Sequence, residues 1–170
     1  MQGCIKMKTI IVSGTPGTGK TEIAKTLAKK LEYKYIDVNK LIKENNLSDG
    51  YDNEKKCEIV DAKKLSRFLS GFIKKSKQNL VIDSHLAHYL PKKYVDICII
   101  TKCDLKELKK RLEKRKYSKA KIRENLDSEI FDICLNEAIE KSHTILIIDT
   151  TGKKANKVLD KETISILQQI

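Results

Sequence analysis

What this sequence lacks narrows the possibilities first. No apolar stretch approaches the ~20 residues that a membrane span requires, and the opening MQGCIKMKTIIVSG carries no secretory hydrophobic region with a cleavage site. The five cysteines, Cys4, Cys57, Cys98, Cys103 and Cys134, are odd in number, scattered, and include no CxxC pair. That pattern argues against a disulfide framework or a zinc site and for reduced thiols in a cytoplasmic protein. Cys98 and Cys134 suit the role of small buried hydrophobes. Internal repeats, linkers and low-complexity tails are missing, so residues 1–170 are read as one domain. Arginine is scarce, with only four among 35 basic residues, and no aromatic–basic motif of the kind used by single-strand RNA readers occurs.

Lysine is what the chain has in quantity, and the formal net charge is +12. Such a balance favours polyanionic partners, whether nucleotides, RNA or a ribonucleoprotein particle, and bears on solubility rather than fold. The lysines are spread along every expected helix, so solvated faces account for much of the excess. Neither a membrane nor a DNA partner is expected.

The stretch IIVSGTPGTGKTE, Ile10 to Glu22, carries the strongest signal. An apolar run feeds the turn Gly14-Thr15-Pro16-Gly17-Thr18-Gly19-Lys20-Thr21, and the turn opens into a segment with helical spacing. Two glycines, a lysine and a threonine stand at the offsets of a phosphate-binding loop. Glycines let successive backbone N–H groups point into one concavity, and the following helix adds its own N–H groups and positive dipole end. Lys20 can then reach outer phosphates, and the Thr21 hydroxyl can hold Mg2+.

Around this loop the pattern alternates. Strands are expected at Lys8–Ser13, Tyr35–Val38, Asn79–Asp83, Val95–Thr101 and Thr144–Asp149. They are short and continuously apolar, as strands covered on both faces are. Helical spacing runs through Lys20–Leu31, Asp61–Lys77 (with Gly71 inside it) and Asp104–Lys116. A single long helix is expected from Ser118 through Ala138, and a last one around Ile164–Leu167. Asp104 and Glu107 occupy capping-box positions, and Leu105, Leu108 and Leu112 are the expected buried face. Asn39 to Asp61 is polar and mixed, with a turn at Ser48-Asp49-Gly50, and reads as an inserted element outside the core. Strands alternating with helices imply an α/β protein with a parallel sheet and helices on both faces.

In open α/β sheets ligands bind at the carboxyl ends of the strands. Three features fall there: the loop after the first strand, Asp37 after the second, and Asp83 after the third. A carboxylate ending an apolar run can reach Mg2+ directly or through water, although it can equally cap the next helix. DSHLAHYLP follows, in which His85 can orient a water or substrate, or simply be satisfied by local backbone. His85 and His88 alone lack the third ligand a zinc site needs. Phosphoryl transfer requires positive charge around the transferring group, and arginine meets this best because its fork stays ionised. Arg111 and Arg115 share one helix face, with Arg123 beyond them. Arg115, at the helix end beside a break, is the favoured functional arginine, while Arg111 can equally pair with Glu107.

Taken together, GTPGTGKT, YIDVNKL, DGYD, VIDSHLAHYLP, RLEKRKYSKAKIREN and IDTTG make nearly the whole chain resemble the adenylate kinase isoenzyme 6 family. The resemblance implies a P-loop kinase-like three-layer sandwich around a five-stranded parallel sheet, with a small monophosphate-binding module at about 37–60 and a lid at about 114–124. It implies ATP and Mg2+ as cofactors and an adenylate or nucleoside-monophosphate kinase activity. It also implies an ATPase role in small-ribosomal-subunit maturation, with the small-subunit protein uS11 and the pre-ribosome as partners. Gly14, Gly17, Thr18, Gly19, Lys20, Thr21 and Glu22 would bind ATP, with Arg115 as the lid arginine. Asp83 and His85 would match the family's Asp-x-His feature, and Asp37 and Lys43 would face the acceptor. One departure is that residues 37–60 contain no arginine, so Lys43 is the nearest substitute for the usual acceptor-phosphate fork. An assembly ATPase with little kinase activity, or a small-metabolite kinase, are the alternatives.

Overall fold

A computed structural model describes residues 7–53 and 57–169. In chain order the first half comprises β1 (Thr9–Ser13), α1 (Lys20–Leu31), β2 (Lys34–Asp37), α2 (Val38–Glu44), β3 (Gly50–Asp52), β4 (Cys57–Ile59), α3 (Ala62–Lys75) and β5 (Leu80–Asp83). Two short 3-10 turns, Ala87–Tyr89 and Lys92–Tyr94, lead to β6 (Ile97–Lys102) and α4 (Leu105–Lys114). The remainder is α5 (Lys119–Ile130), α6 (Ile133–Glu140), β7 (Ile145–Asp149), α7 (Ala155–Val158) and α8 (Lys161–Gln169).

The main sheet has the order β2-β5-β1-β6-β7 and every pairing in it is parallel. β1 lies at its centre, and all five of its residues are buried. Alternation then sends Ile11 to one face and Ile10 and Val12 to the other. On the first face Ile11, Ile82 and Ile100 pack with Val38, Ile42, Leu65, Leu69 and Ala138, contributed by α2, α3 and α6. On the second, Ile10, Val12 and Ile99 pack with Ile23, Leu27 and Leu31 of α1 and with Ala155, Leu159 and Leu167 near the C-terminus. Each fully buried Leu or Ile contributes roughly 1.5–3 kcal/mol. The result is the parallel α/β sheet with helices on both faces expected from the alternating pattern, in the three-layer P-loop kinase form that the resemblance implies.

Several local expectations change. Val38 does not extend β2; it opens α2, because the Asp37 carboxylate accepts from the Asn39 and Lys40 N–H groups and turns the chain into a helix. The segment after Asp37 is therefore not wholly outside the core: Val38, Ile42 and Leu47 are buried, and only the antiparallel β3–β4 hairpin projects beyond. Gly71 does not interrupt α3.

The expected long helix from Ser118 is two helices. The chain breaks at Phe131–Asp132, where Asp132 adopts the left-handed φ of 52°. Lys102, at the end of β6, explains the break by ion-pairing with both Glu129 and Asp132, while Glu129 also accepts the Cys103 N–H at 3.0 Å. This fastens the elbow between α5 and α6 onto the sheet.

The capping box at α4 is only half formed. Asp104 accepts from the Lys106 and Glu107 N–H groups, but the Asp104 N–H donates to Thr151 Oγ1 instead of to Glu107. Leu108 and Leu112 are fully buried, whereas Leu105 is 40% exposed. No helix among the described residues is long and apolar enough to cross a membrane. Cys98, Cys103 and Cys134 are free thiols, and Cys4 and the Cys57 side chain lie outside what is described.

Candidate active site

The loop between β1 and α1 holds its shape through close approach and threonine hydrogen bonds. Gly14 has φ 135°, and a Cβ there would lie 2.6 Å from the Thr101 carbonyl oxygen on neighbouring β6. Gly17 has φ 98°, and a Cβ would meet Leu108 Cδ1 at 2.8 Å. Only glycine permits both the backbone turn and the contact. The Thr18 hydroxyl bonds Thr15 O at 2.7 Å and Thr101 Oγ1 at 2.6 Å. Thr18 is fully buried, so its side chain serves the loop's framework rather than facing the cleft. Gly19 caps α1 without a side-chain acceptor, leaving the first N–H groups of that helix directed at the loop's concavity. A helix N-terminus of this kind suits an anion.

Lys20 Nζ donates to Thr15 O at 3.0 Å, so the ammonium is folded over the loop. Crowding around it lowers the Lys20 pKa to about 8, with Asp83 pulling the other way and Arg115 adding to the fall. Thr21 and Glu22 are exposed beside it, and Glu22 reaches the cleft wall. Asp83 ends β5 with 6% exposure, directly in register with Val12 of β1 and Asp37 of β2. Its Oδ2 accepts the Tyr35 hydroxyl at 3.0 Å, and burial followed by this carboxylate pushes the Tyr35 pKa up. His85 is exposed by surface area, yet its close surroundings and then Lys20 lower its pKa to about 4. The imidazole is neutral at physiological pH.

A cleft of about 490 Å³ opens above the loop, walled by Gly17, Gly19, Glu22, Arg111, Arg115 and Lys153. Arg115 terminates α4, is exposed, and has no side-chain partner among the described residues. Arg111 is different. Its guanidinium bonds Thr150 Oγ1 at 3.1 Å, Thr150 O at 3.0 Å and Gly17 O at 3.4 Å, and it also ion-pairs with Glu107. Glu107 uses its other oxygen on the Gly152 N–H at 2.7 Å. Arg111 thus ties α4, the phosphate loop and the turn after β7 together. Arg123 lies elsewhere, 78% exposed and paired with Asp127.

The acceptor-side candidates are less concentrated. Asp37 caps α2 and Lys43 is exposed in that helix's last turn. The Glu107–Arg111 pair was visible as an i,i+4 spacing. Thr150, which bonds Thr18 O at 2.7 Å, and Tyr35 had only their strand-end positions to mark them. Among the described residues no group of three or more His, Cys, Asp or Glu is placed to hold a metal. Hard oxygen donors, the Thr21 hydroxyl and the Asp83 carboxylate, nevertheless suit Mg2+, which is usually held by one or two protein groups plus substrate phosphates.

The chain is similar to proteins of known families. Residues 10–132 match the family described as AAA domain. A Methanosarcina mazei protein named "Putative adenylate kinase" is 39% identical over 163 residues, covering 87% of this chain and 81% of that one. A Dictyostelium discoideum adenylate kinase isoenzyme 6 homolog is 40% identical over 129 residues, covering 76% and 73%. Among solved structures, a shikimate kinase from Acinetobacter baumannii superposes with a TM-score of 0.68 at 16% identity, covering 96% and 94%, which speaks to the fold alone. A glycine loop with Lys20 folded over it, a carboxylate at the end of β5 and an arginine wall on α4 are joined by sequence identity over most of the chain, and the chain therefore belongs to the adenylate kinase isoenzyme 6 family of P-loop kinases.

Proposed function

We propose that this protein transfers the γ-phosphoryl group of ATP to AMP or a related nucleoside monophosphate, with Mg2+ as cofactor. The observation that carries the reading is the placement of Lys20 inside a phosphate-binding loop, within electrostatic reach of Asp83 at the adjacent strand end and of Arg115, which has no side-chain partner among the described residues and lines the cleft that Gly17 and Gly19 of the same loop line. Phosphoryl transfer asks a protein mainly for positioning and charge neutralisation. Substrate phosphates would draw Lys20 from Thr15 O, and the backbone N–H groups of the loop and of α1 would hold them. Arg115 would neutralise charge on the transferred group, with Glu22 at the ATP-side wall. Thr21 and Asp83 would hold Mg2+, which supplies charge neutralisation between phosphate oxygens when bound. His85, neutral beside Lys20, would orient the attacking group. Residues 37–60, with Asp37 and Lys43, would receive the acceptor, and residues 114–124 would close as a lid and exclude water.

The test is ATP consumption by purified protein with AMP, CMP or UMP added one at a time, beside Lys20→Ala. Stimulation by at least one monophosphate, lost in the variant, is the expected result. Turnover indifferent to all three would refute the kinase reading.

A second reading is favoured by the arginine-free acceptor segment 37–60 and the net charge of +12. In it, ATP binding and hydrolysis switch the protein's grip on a pre-ribosomal particle through uS11, in the cytoplasm, where the free thiols would stay reduced. Co-sedimentation with small subunits that ignores both nucleotide and Lys20→Ala would refute this switch. Acceptor screens that include sugars and shikimate address a small-metabolite kinase, since the loop does not encode the acceptor.

A further inference from the structure

One buried polar cluster takes no part in the chemistry proposed above. His88, 1% exposed, sits in the short turn after β5. Its Nδ1 lies 2.8 Å from Ser13 Oγ, and its Nε2 lies 2.8 Å from Glu137 Oε2 on α6. The other Glu137 oxygen accepts the Tyr89 hydroxyl at 2.6 Å. Ser13 Oγ also lies 3.3 Å from the His85 carbonyl oxygen. Ser13 is the last residue of β1, immediately before Gly14. One imidazole thereby joins β1, the turn that carries His85, and α6.

Donor and acceptor roles follow from chemistry. An ionised carboxylate only accepts, so Nε2 carries the hydrogen that meets Glu137. In a neutral imidazole Nδ1 is then an acceptor, and the Ser13 hydroxyl donates to it. Glu137 therefore selects the tautomer, in the way outer carboxylates orient working histidines elsewhere. The Ser13 oxygen is held at one point, between the start of the phosphate loop and the backbone of His85. Ser13 directly precedes Gly14, and its one hydroxyl hydrogen, given to His88 Nδ1, is shared more weakly with the His85 carbonyl oxygen at 3.3 Å, so a shift of that hydroxyl is felt at both places.

We propose that His88, oriented by Glu137, is a positioning residue that sets His85 and the start of the phosphate loop in register through the Ser13 hydroxyl. The proposal rests on the kinase reading for its catalytic consequence, but its geometry can be tested separately. Two variants separate the two nitrogens. His88→Asn keeps a polar atom near the Nδ1 position, facing Ser13, and His88→Gln keeps one near the Nε2 position, facing Glu137. Ser13→Ala removes the link itself.

In steady-state assays Ser13→Ala and His88→Gln are expected to lower kcat about 10-fold or more, the scale of a sub-ångström misplacement. His88→Asn should keep most of kcat. Equal losses in His88→Asn and His88→Gln, or no loss beyond about twofold in any variant, would overturn the proposal in favour of simple packing. The second measurement needs no turnover. With three histidines in the chain, 15N imidazole spectra can follow His85 directly. Its signals should move in Ser13→Ala and His88→Gln and stay in His88→Asn, and His88 should show the Nε2–H tautomer. If the wild type transfers no phosphoryl group, the kinase reading fails and these spectra alone decide the positioning role. Unmoved His85 signals in all variants would then overturn it.

Discussion

Replacing Gly14 with alanine tests the loop's most constrained contact. The added Cβ would stand 2.6 Å from Thr101 O, 2.7 Å from Thr101 Oγ1 and 3.2 Å from Thr101 N. The neighbour is strand backbone, and β6 cannot yield easily because it is paired with β1 on one side and β7 on the other. The two chains must part by some tenths of an ångström, at the place where the phosphate loop begins. An alanine at φ 135° carries backbone strain of about 1–3 kcal/mol. Overpacking adds about 1–3 kcal/mol, and the stiffer unfolded chain returns about 0.4–1 kcal/mol. The net expectation is a destabilisation of about 1–6 kcal/mol, each kcal/mol lowering Tm by roughly 2–4 °C for a chain of this size. Gly71 is the control, since it lies inside α3 with nothing within 4 Å of its virtual Cβ. Gly71→Ala should stabilise by about 0.5–1 kcal/mol through helix propensity alone. Urea unfolding followed by circular dichroism, fitted with a shared m-value, measures both. A Gly14→Ala variant within about 0.5 kcal/mol of wild type would refute the close-approach reasoning. So would two glycine variants that shift stability in the same direction.

Glu107→Ala would release Arg111 and the Gly152 N–H at once. It should raise KM for ATP about 10-fold with a smaller change in kcat, and a kcat loss at unchanged KM would contradict the wall-building role. Arg123→Ala removes an exposed pair with Asp127 and should change unfolding free energy by less than about 1 kcal/mol and leave turnover intact. A 10-fold activity loss would bring Arg123 into the site. Burial lowers the pKa of both His88 and His143. Between those lowered values and about 6.5 the unfolded chain binds more protons than the folded one, so stability rises with pH through that window. Unfolding free energy should therefore fall as pH drops below about 6.5, and a flat profile from pH 7 to 5 would refute the assignment.

Much of the architecture was written locally. The loop is eight contiguous residues whose types and offsets follow from phosphate geometry, and it folds as read, with Gly14 and Gly17 at the strained turns. β1, β5 and β6 were legible because strands buried on both faces must be continuously apolar, and the edge strands β2 and β7 were legible from apolar runs although they are partly exposed. Arg111 was ambiguous for a stated reason: its pairing with Glu107 lay in the sequence, but its bonds to Gly17 and Thr150 span 94 and 39 residues.

Composition and spacing by themselves determined the phosphate loop, the parallel α/β class and the identity of Lys20, because each depends on neighbours within a few residues. Tertiary structure alone decided the rest. The break at Asp132 depends on Lys102, thirty residues earlier in the chain. Asp37 and Glu107 each had two local choices, and the chain's path selected a helix cap for the first and the Arg111–Gly152 bridge for the second. His88 meets Ser13 and Glu137 across separations of 75 and 49 residues. A side chain's hydrogen-bond partners are set by what the fold brings within 3 Å, and sequence spacing carries that information only along a single turn of helix or a single strand.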